Sequence, residues 1–260
     1  PDPVATAGTP GDAPVRRAST LAAIDPAGIP VDAHQRGMWS AVHAWPLISV
    51  HAVLLQDGRV LTYGTDGSGR QTGFFNYDVW DPALGQGAAS HTTLPNATGT
   101  DIFCGSQVLM PDGRVVLAGG DNWTGSGTTN TGNNNSNVFS PSDNTLTRGN
   151  NMNRARWYST ATTLLNGETY IQGGTGGTDR PELRGADGVF RLLSGANTGG
   201  LDFMYPRNFV APDGRVFGYD SAGRMYYVDP TGTGTLTSVG QFTQTRGNDS
   251  SAAMFRPGRI

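Results

Sequence analysis

The chain holds one cysteine, Cys104, among 260 residues. That excludes an internal disulfide and leaves the thiol as inert filling, a liability, or a group committed to other chemistry. Lysine is missing altogether: all 18 basic residues are arginine, which we read as a coding bias without functional content. Charged residues are sparse at 15%, and the net charge is −3. The absence of a basic surface argues against nucleic acid or an anionic membrane as partner. No apolar run approaches the roughly 18 residues of a membrane span.

Glycine is abundant at 38, proline stands at 16, and apolar segments recur along the whole length. That is a loop-rich globular chain, not a disordered one. The opening "PDPVATAGTPGDAPVRRAST" resembles a processed N-terminus or a flexible lead-in, and we assign residues 1–36 to it. The Asn, Thr and Ser content and the single Cys fit a secreted, extracellular or cell-surface protein. The four N-x-S/T sequons, at Asn96, Asn122, Asn134 and Asn248, add little in so Asn-rich a sequence.

An internal repeat sets the expected fold. "HAVLLQDGRVLTYG", "SQVLMPDGRVVLAGG", "STATTLLNGETYIQGG", "NFVAPDGRVFGYD" and "SSAAMFRPGRI" each join two apolar runs through a pair ending in Gly. Four of the pairs are Asp-Gly or Asn-Gly (Asp57-Gly58, Asp112-Gly113, Asn166-Gly167, Asp213-Gly214) and the fifth is Pro257-Gly258. Such pairs predict two-residue type I′ hairpins. The turn glycines recur every 44 to 55 residues, the period of a propeller blade of about four strands. "NVFSPSDNTLTRG" (137–149) and "RMYYVDPTGTGTLTSVG" (224–240) read as outer hairpins. The prediction is all-β: a β-propeller over residues 37–260 with four units and the start of a fifth, its remaining blades lying outside this sequence. A β-sandwich is the alternative.

The repeat also places the cysteine. Cys104 and Tyr158 each lie nine residues ahead of their turn glycines, as do Tyr205 and Asp249. Equivalent positions in successive blades share a height, so a thiol and a phenol are expected to be neighbours at the mouth of the axis. A lone Cys is more often inert core, and a Tyr beginning a strand usually packs.

"DIFCGSQVLMPDGRVVLAGG", followed by "NRARWYSTATTLLNGETYIQGG", resembles the copper radical oxidases, the galactose oxidase and glyoxal oxidase group with kelch-type repeats. "GMWSAVHAWPLISVHAVLLQDGRVLTYG" and "MYPRNFVAPDGRVF" are most similar to the glyoxal oxidase branch. The resemblance implies a kelch-type propeller of seven blades with copper on its axis and a thioether joining Cys104 to Tyr158. Tyr158 would be both metal ligand and radical site. Copper supplies one electron acceptor and the sulfur-substituted phenol a second, as two-electron alcohol oxidation requires. The other ligands, a Tyr beside a His and a further His, are expected beyond Ile260. The implied reaction is oxidation of a primary alcohol or aldehyde, small or part of a glycan, with O₂ reduced to H₂O₂; these 260 residues alone are expected to be inactive.

The four histidines do not complete that site. His51 is expected to be a structural hydrogen-bonding residue, and His34, His43 and His91 read as lead-in or loop residues. Galactose oxidase has a Trp shortly after the second Gly-Gly; "GGTGGTDR" here has none. Trp123 and Trp157 are the substitutes in reach, but strand alternation sends Trp157 to the opposite side from Tyr158. The resemblance suggests Arg207 as a substrate-binding residue, against an inter-blade ion pair. Phe103 either lines the pocket or packs beneath the rim. Arg154 and Arg156 read as structural. The alternative function is a non-catalytic kelch propeller that binds glycan or protein.

Overall fold

A computed structural model describes residues 29–125, 127–242, 247 and 250–260. Most of the lead-in and Asp249 lie outside these. The described end of the lead-in carries a short helix, α1 (Ala33–Arg36). Trp39 and Val42 stand exposed, and packing begins at Trp45 and Leu47.

Four antiparallel sheets of four strands follow. The first is β1 (Ile48–Leu54), β2 (Val60–Thr65), β3 (Asn76–Trp80) and β4 (His91–Pro95), paired in that order. The second runs β5 (Ser106–Leu109), β6 (Val115–Ala118), β9 (Ser136–Ser140) and β10 (Thr145–Arg148). A separate hairpin, β7 (Asp121–Thr124) with β8 (Gly127–Gly132), is inserted between β6 and β9. The third sheet is β11 (Trp157–Thr163), β12 (Thr169–Thr175), β13 (Glu182–Arg184) and β14 (Phe190–Leu192). The fourth is β15 (Arg207–Val210), β16 (Val216–Tyr219), β17 (Arg224–Asp229) and β18 (Thr235–Gln241). The expected outer hairpins are β9–β10 and β17–β18.

The first strands of the sheets are neighbours: β5 lies beside β1 and β11, and β11 beside β15. The sheets therefore fan out from one line of inner strands, a propeller-like arrangement. Apolar side chains fill the space between each pair of sheets. Leu61, Tyr63, Tyr77, Val115, Leu117 and Phe139 join the first two sheets; Ala118, Met152, Ile171 and Phe190 join the second and third; Tyr170, Leu183, Val216, Tyr226 and Val228 join the third and fourth. Buried tyrosine hydroxyls find partners across these interfaces, as Tyr63 does by donating to Gln107 Oε1 at 2.6 Å.

The repeat turns form where expected but are of another type. A type I′ turn needs positive φ at both central residues. Here Gly58, Gly113, Gly167 and Gly214 have φ of 83–88° while the preceding Asp or Asn does not. Gly58 N–H donates to Leu55 O (3.0 Å) and Leu55 N–H to Arg59 O (2.8 Å). The loop is thus a three-residue hairpin, a type I turn closed by a left-handed glycine. The physical reason is the acidic or amide side chain. Asp57 Oδ1 accepts from Arg59 N–H at 3.1 Å, and Asp112, Asn166 and Asp213 do the same two residues on, a bond that suits a negative φ at that residue.

The Gly-Gly ends of the second strands admit neighbouring backbone. A Cβ on Gly119 would sit 2.0 Å from Arg156 O, and one on Gly120 would sit 2.0 Å from Asp101 O. This lets the segment before β11 press against the end of β6. Arg156, fully buried, is fixed there by Glu182 of β13, with Nη2 2.9 Å from Oε1. Its guanidinium also donates to the carbonyls of Gly173, Gly177 and Arg180. Arg156 is structural, as its sequence context suggested.

Candidate functional site

Cys104, Tyr158 and Tyr205 each open the inner hairpin of a different sheet, and each has a left-handed backbone, with φ of 56°, 71° and 46°. Such residues cost about 1–3 kcal/mol each and persist only where the surroundings over-determine them. Here the reason is visible. Tyr205 N–H donates to Tyr158 O (2.9 Å), and Tyr158 N–H donates to Cys104 O (2.9 Å). Cys104 N–H in turn donates to His51 Nε2 at 3.1 Å. One line of hydrogen bonds passes from sheet to sheet through the residues that share the nine-residue offset. It satisfies backbone groups that no ladder reaches, as the β11–β12 register pairs Trp157 and Ser159 but skips Tyr158.

The side chains gather at the same place. Cys104 is buried. The Tyr205 ring meets Tyr158 at 65°, centroids 5.4 Å apart. On Tyr158's other neighbour the sequence reading fails. Trp157 does not point away; its ring stacks on Tyr158 at 4.1 Å and 25°. Alternation holds for extended residues, and the left-handed backbone of Tyr158 brings its ring round to the Trp157 side. Trp123 is occupied elsewhere, stacked on Phe74 at 5.2 Å and edge-on to Phe75 at 4.8 Å.

Burial sets the electrostatics. It pushes the Cys104 thiol up to about 11, opposed by the neighbouring Tyr205 side chain and reinforced by Asp101 and Asp121. It also raises the Tyr158 phenol, with Cys104 and Asp121 adding to the effect. Tyr205 is raised strongly by burial and then by Cys104. Asp101 is lifted to about 7, by burial first and by Asp121 to a lesser degree, against a hydrogen bond from Phe103 N–H. Sequence reasoning missed both carboxylates; nothing in their spacing marks them, because Asp121 belongs to the inserted β7–β8 hairpin.

The remaining candidates are dispersed. His51 is buried, stacked on Tyr63 at 4.7 Å, and lowered to about 4 by burial. It is neutral and structural, its Nε2 taken by Cys104 N–H. Phe103 packs edge-on to His51 at 6.1 Å. Arg207 donates from Nε (3.2 Å) and Nη2 (2.7 Å) to Ser250 O, so the carbonyls of Gly247 and Ser250 occupy much of its fork. His34 and His43 are exposed. His91 is not a loop residue: it opens β4, and its Nδ1 lies 2.7 Å from Asp78 Oδ2, edge-on to Trp45. A cleft of about 190 Å³ runs along the inner strands, lined by His51, Ser106, Ser159, Thr160 and Tyr205 among others.

Among the described residues no group of three or more His, Cys, Asp or Glu could hold a metal ion. The oxygens of Tyr158 and Tyr205 are the donors at hand, and His51 Nε2 is engaged. These residues do not make a copper site by themselves.

No family model matches the chain, and no curated protein does. Among solved structures it matches a fungal alcohol oxidase of the AA5 family determined in complex with copper. The TM-score is 0.65 and the identity 19%, over 80% of this chain and 45% of that one. This chain therefore spans less than half the length of the protein it resembles. What the likeness establishes is the fold: a propeller-like all-β architecture shared with a copper-binding alcohol oxidase.

Proposed function

We propose that this chain is the thioether-bearing part of a copper radical oxidase that converts a primary alcohol or aldehyde with O₂, releasing H₂O₂. The observation that carries the reading is the meeting of Cys104 and Tyr158: a 2.9 Å main-chain hydrogen bond ties them together although 54 residues separate them. The Trp157 ring stacked on Tyr158 supports it, as an aromatic cover for an oxidisable phenol. In this reading the Cys104 sulfur, bonded to the Tyr158 ring, releases electron density into it and makes the phenol easier to oxidise. Further metal ligands come from outside the described residues, and the small-molecule or glycan substrate, with O₂, is met by the complete protein. A kelch-type ring of seven blades and export from the cell belong to the same proposal.

Intact mass tests it. Forming the C–S bond removes two hydrogen atoms and makes Cys104 inert to alkylation. After exposure to Cu(II) and O₂, the chain should lose that mass and resist iodoacetamide under denaturing conditions, and peptide mapping should join the Cys104 and Tyr158 peptides. Full alkylation of Cys104 after that exposure would refute the reading and favour a binding propeller.

A further inference from the structure

Both peptide groups that flank Cys104 are held at both ends. Ahead of it, Phe103 O accepts from Asp121 N–H at 3.0 Å, and Cys104 N–H donates to His51 Nε2 at 3.1 Å. Behind it, Cys104 O accepts from Tyr158 N–H at 2.9 Å, and Gly105 N–H donates to Ile102 O at 3.1 Å. Two fixed peptide planes fix the φ and ψ of the residue between them. They also fix the direction in which its Cα–Cβ bond leaves the backbone. The left-handed Cys104, with φ of 56°, is over-determined in this way.

Three of the four partners are main-chain groups, which side-chain substitution leaves in place. The fourth, His51, is a side chain from β1. It pairs across the first sheet with Tyr63, stacks on that ring at 4.7 Å and 15°, and meets Phe103 edge-on at 6.1 Å. Those contacts orient the imidazole but ask for no nitrogen; an apolar side chain would answer them. The nitrogen answers the Cys104 amide, since a buried N–H needs an acceptor. Accepting at Nε2 puts the ring proton on Nδ1. Burial, which lowers His51 to about 4, keeps the imidazole in that neutral form.

We infer that His51 is a positioning residue for Cys104: its Nε2 holds the amide that sets where the sulfur leaves the backbone, and so governs how readily the C–S bond to Tyr158 forms. This rests on the thioether reading. The step balances as one S–H and one ring C–H lost, one C–S bond made, and two electrons and two protons passed to O₂, giving H₂O₂. His51 exchanges no proton or electron in it; it acts only through the Cys104 main chain.

The test compares the whole chain with His51→Leu, which removes the acceptor, and His51→Gln, whose side-chain oxygen replaces Nε2. Because Cys104 is the sole cysteine, cysteine labelled with the heavy nitrogen isotope gives one main-chain amide signal in magnetic resonance. With histidine labelled as well, a coupling across the N–H···N hydrogen bond should join that amide to an imidazole nitrogen, and it needs neither copper nor the thioether. Its absence overturns the inference. Under Cu(II) and O₂, His51→Leu should lose its two hydrogens about tenfold more slowly or worse, as misplaced reacting groups do, and His51→Gln should recover most of the rate. A rate in His51→Leu equal to that of the unaltered chain overturns the inference while leaving the thioether reading intact. Equal slowing in both variants also overturns it, because the ring's packing and not its acceptor would then be what matters. If the unaltered chain never forms the bond, the functional reading falls and with it the control of bond formation, whereas the coupling still decides whether His51 holds Cys104. Should His51→Leu fail to fold, His51→Asn, polar but too short to reach the amide, takes its place with the same slowing expected.

Discussion

Trp157 lies over Tyr158, its immediate neighbour in sequence, with ring centroids 4.1 Å apart and planes 25° from parallel. Adjacent residues of a strand do not ordinarily stack, since they face opposite ways. The pair exists because Tyr158 has a φ of 71°. Its cover is therefore local to the strand that carries it and needs no residue from a later loop.

The stacking predicts a protective role that can be measured. In thioether-bearing chain oxidised by one electron, the Tyr158 phenoxyl signal in electron paramagnetic resonance should decay faster in Trp157→Leu than in the unaltered chain. Stability should fall as well, by about 1 kcal/mol beyond the area lost, the usual worth of an aromatic pair. Equal decay rates would show that Trp157 packs without shielding.

Arg156 and Glu182 supply a second prediction. Both are fully buried, and Glu182 also accepts from Asn153 and Arg154 N–H groups. Glu182→Gln leaves a buried guanidinium without its counter-charge. Breaking such a pair costs about 3–5 kcal/mol, and the segment it anchors leads directly into Tyr158. Urea unfolding should show this loss, whereas Arg114→Gln, on an exposed pair with Asp112, should change the midpoint little.

Arg207 can be tested as an anchor. Its guanidinium holds Ser250 O through two nitrogens. Arg207→Gln should accelerate amide hydrogen exchange across residues 250–260 by about tenfold, equivalent to about 1.4 kcal/mol. Unchanged exchange there would free the side chain for another role, including the substrate contact suggested by resemblance.

Much of this was legible in the sequence, and the failures have a common cause. The spacing of Asp-Gly and Asn-Gly pairs located all four inner hairpins, because a left-handed glycine is required at each. The offset from those glycines brought Cys104, Tyr158 and Tyr205 into one register. What pattern reading lost were departures from ideal backbone. Asp57 and its equivalents bond the amide two residues on, which changed the turn type. Tyr158 and Cys104 take a conformation that composition does not mark in a residue other than glycine, so neither the sheet-to-sheet hydrogen bonds nor the Trp157 stack could be read.

Two buried groups near Cys104 predict the pH dependence of stability, with opposite signs. Stability changes with pH according to the excess of protons bound by the unfolded chain. Asp101 is raised from 3.8 to about 7. Between those values the folded state holds the extra proton, so its contribution is full below pH 4 and is lost as pH rises to 7. His51 is lowered from 6.5 to about 4; there the unfolded state holds the extra proton, and stability is gained as pH rises from 4 to 6.5. At about 1.4 kcal/mol per pKa unit the full effects are about 4.5 kcal/mol for Asp101 and about 3.5 kcal/mol for His51, and they largely cancel between pH 4 and 6.5. Single variants expose them. Across that window Asp101→Asn should gain stability with pH more steeply than the unaltered chain, and His51→Gln should lose it. Urea midpoints from pH 4 to 8 measure both, and parallel curves for all three proteins would mean that neither group is held as its burial indicates.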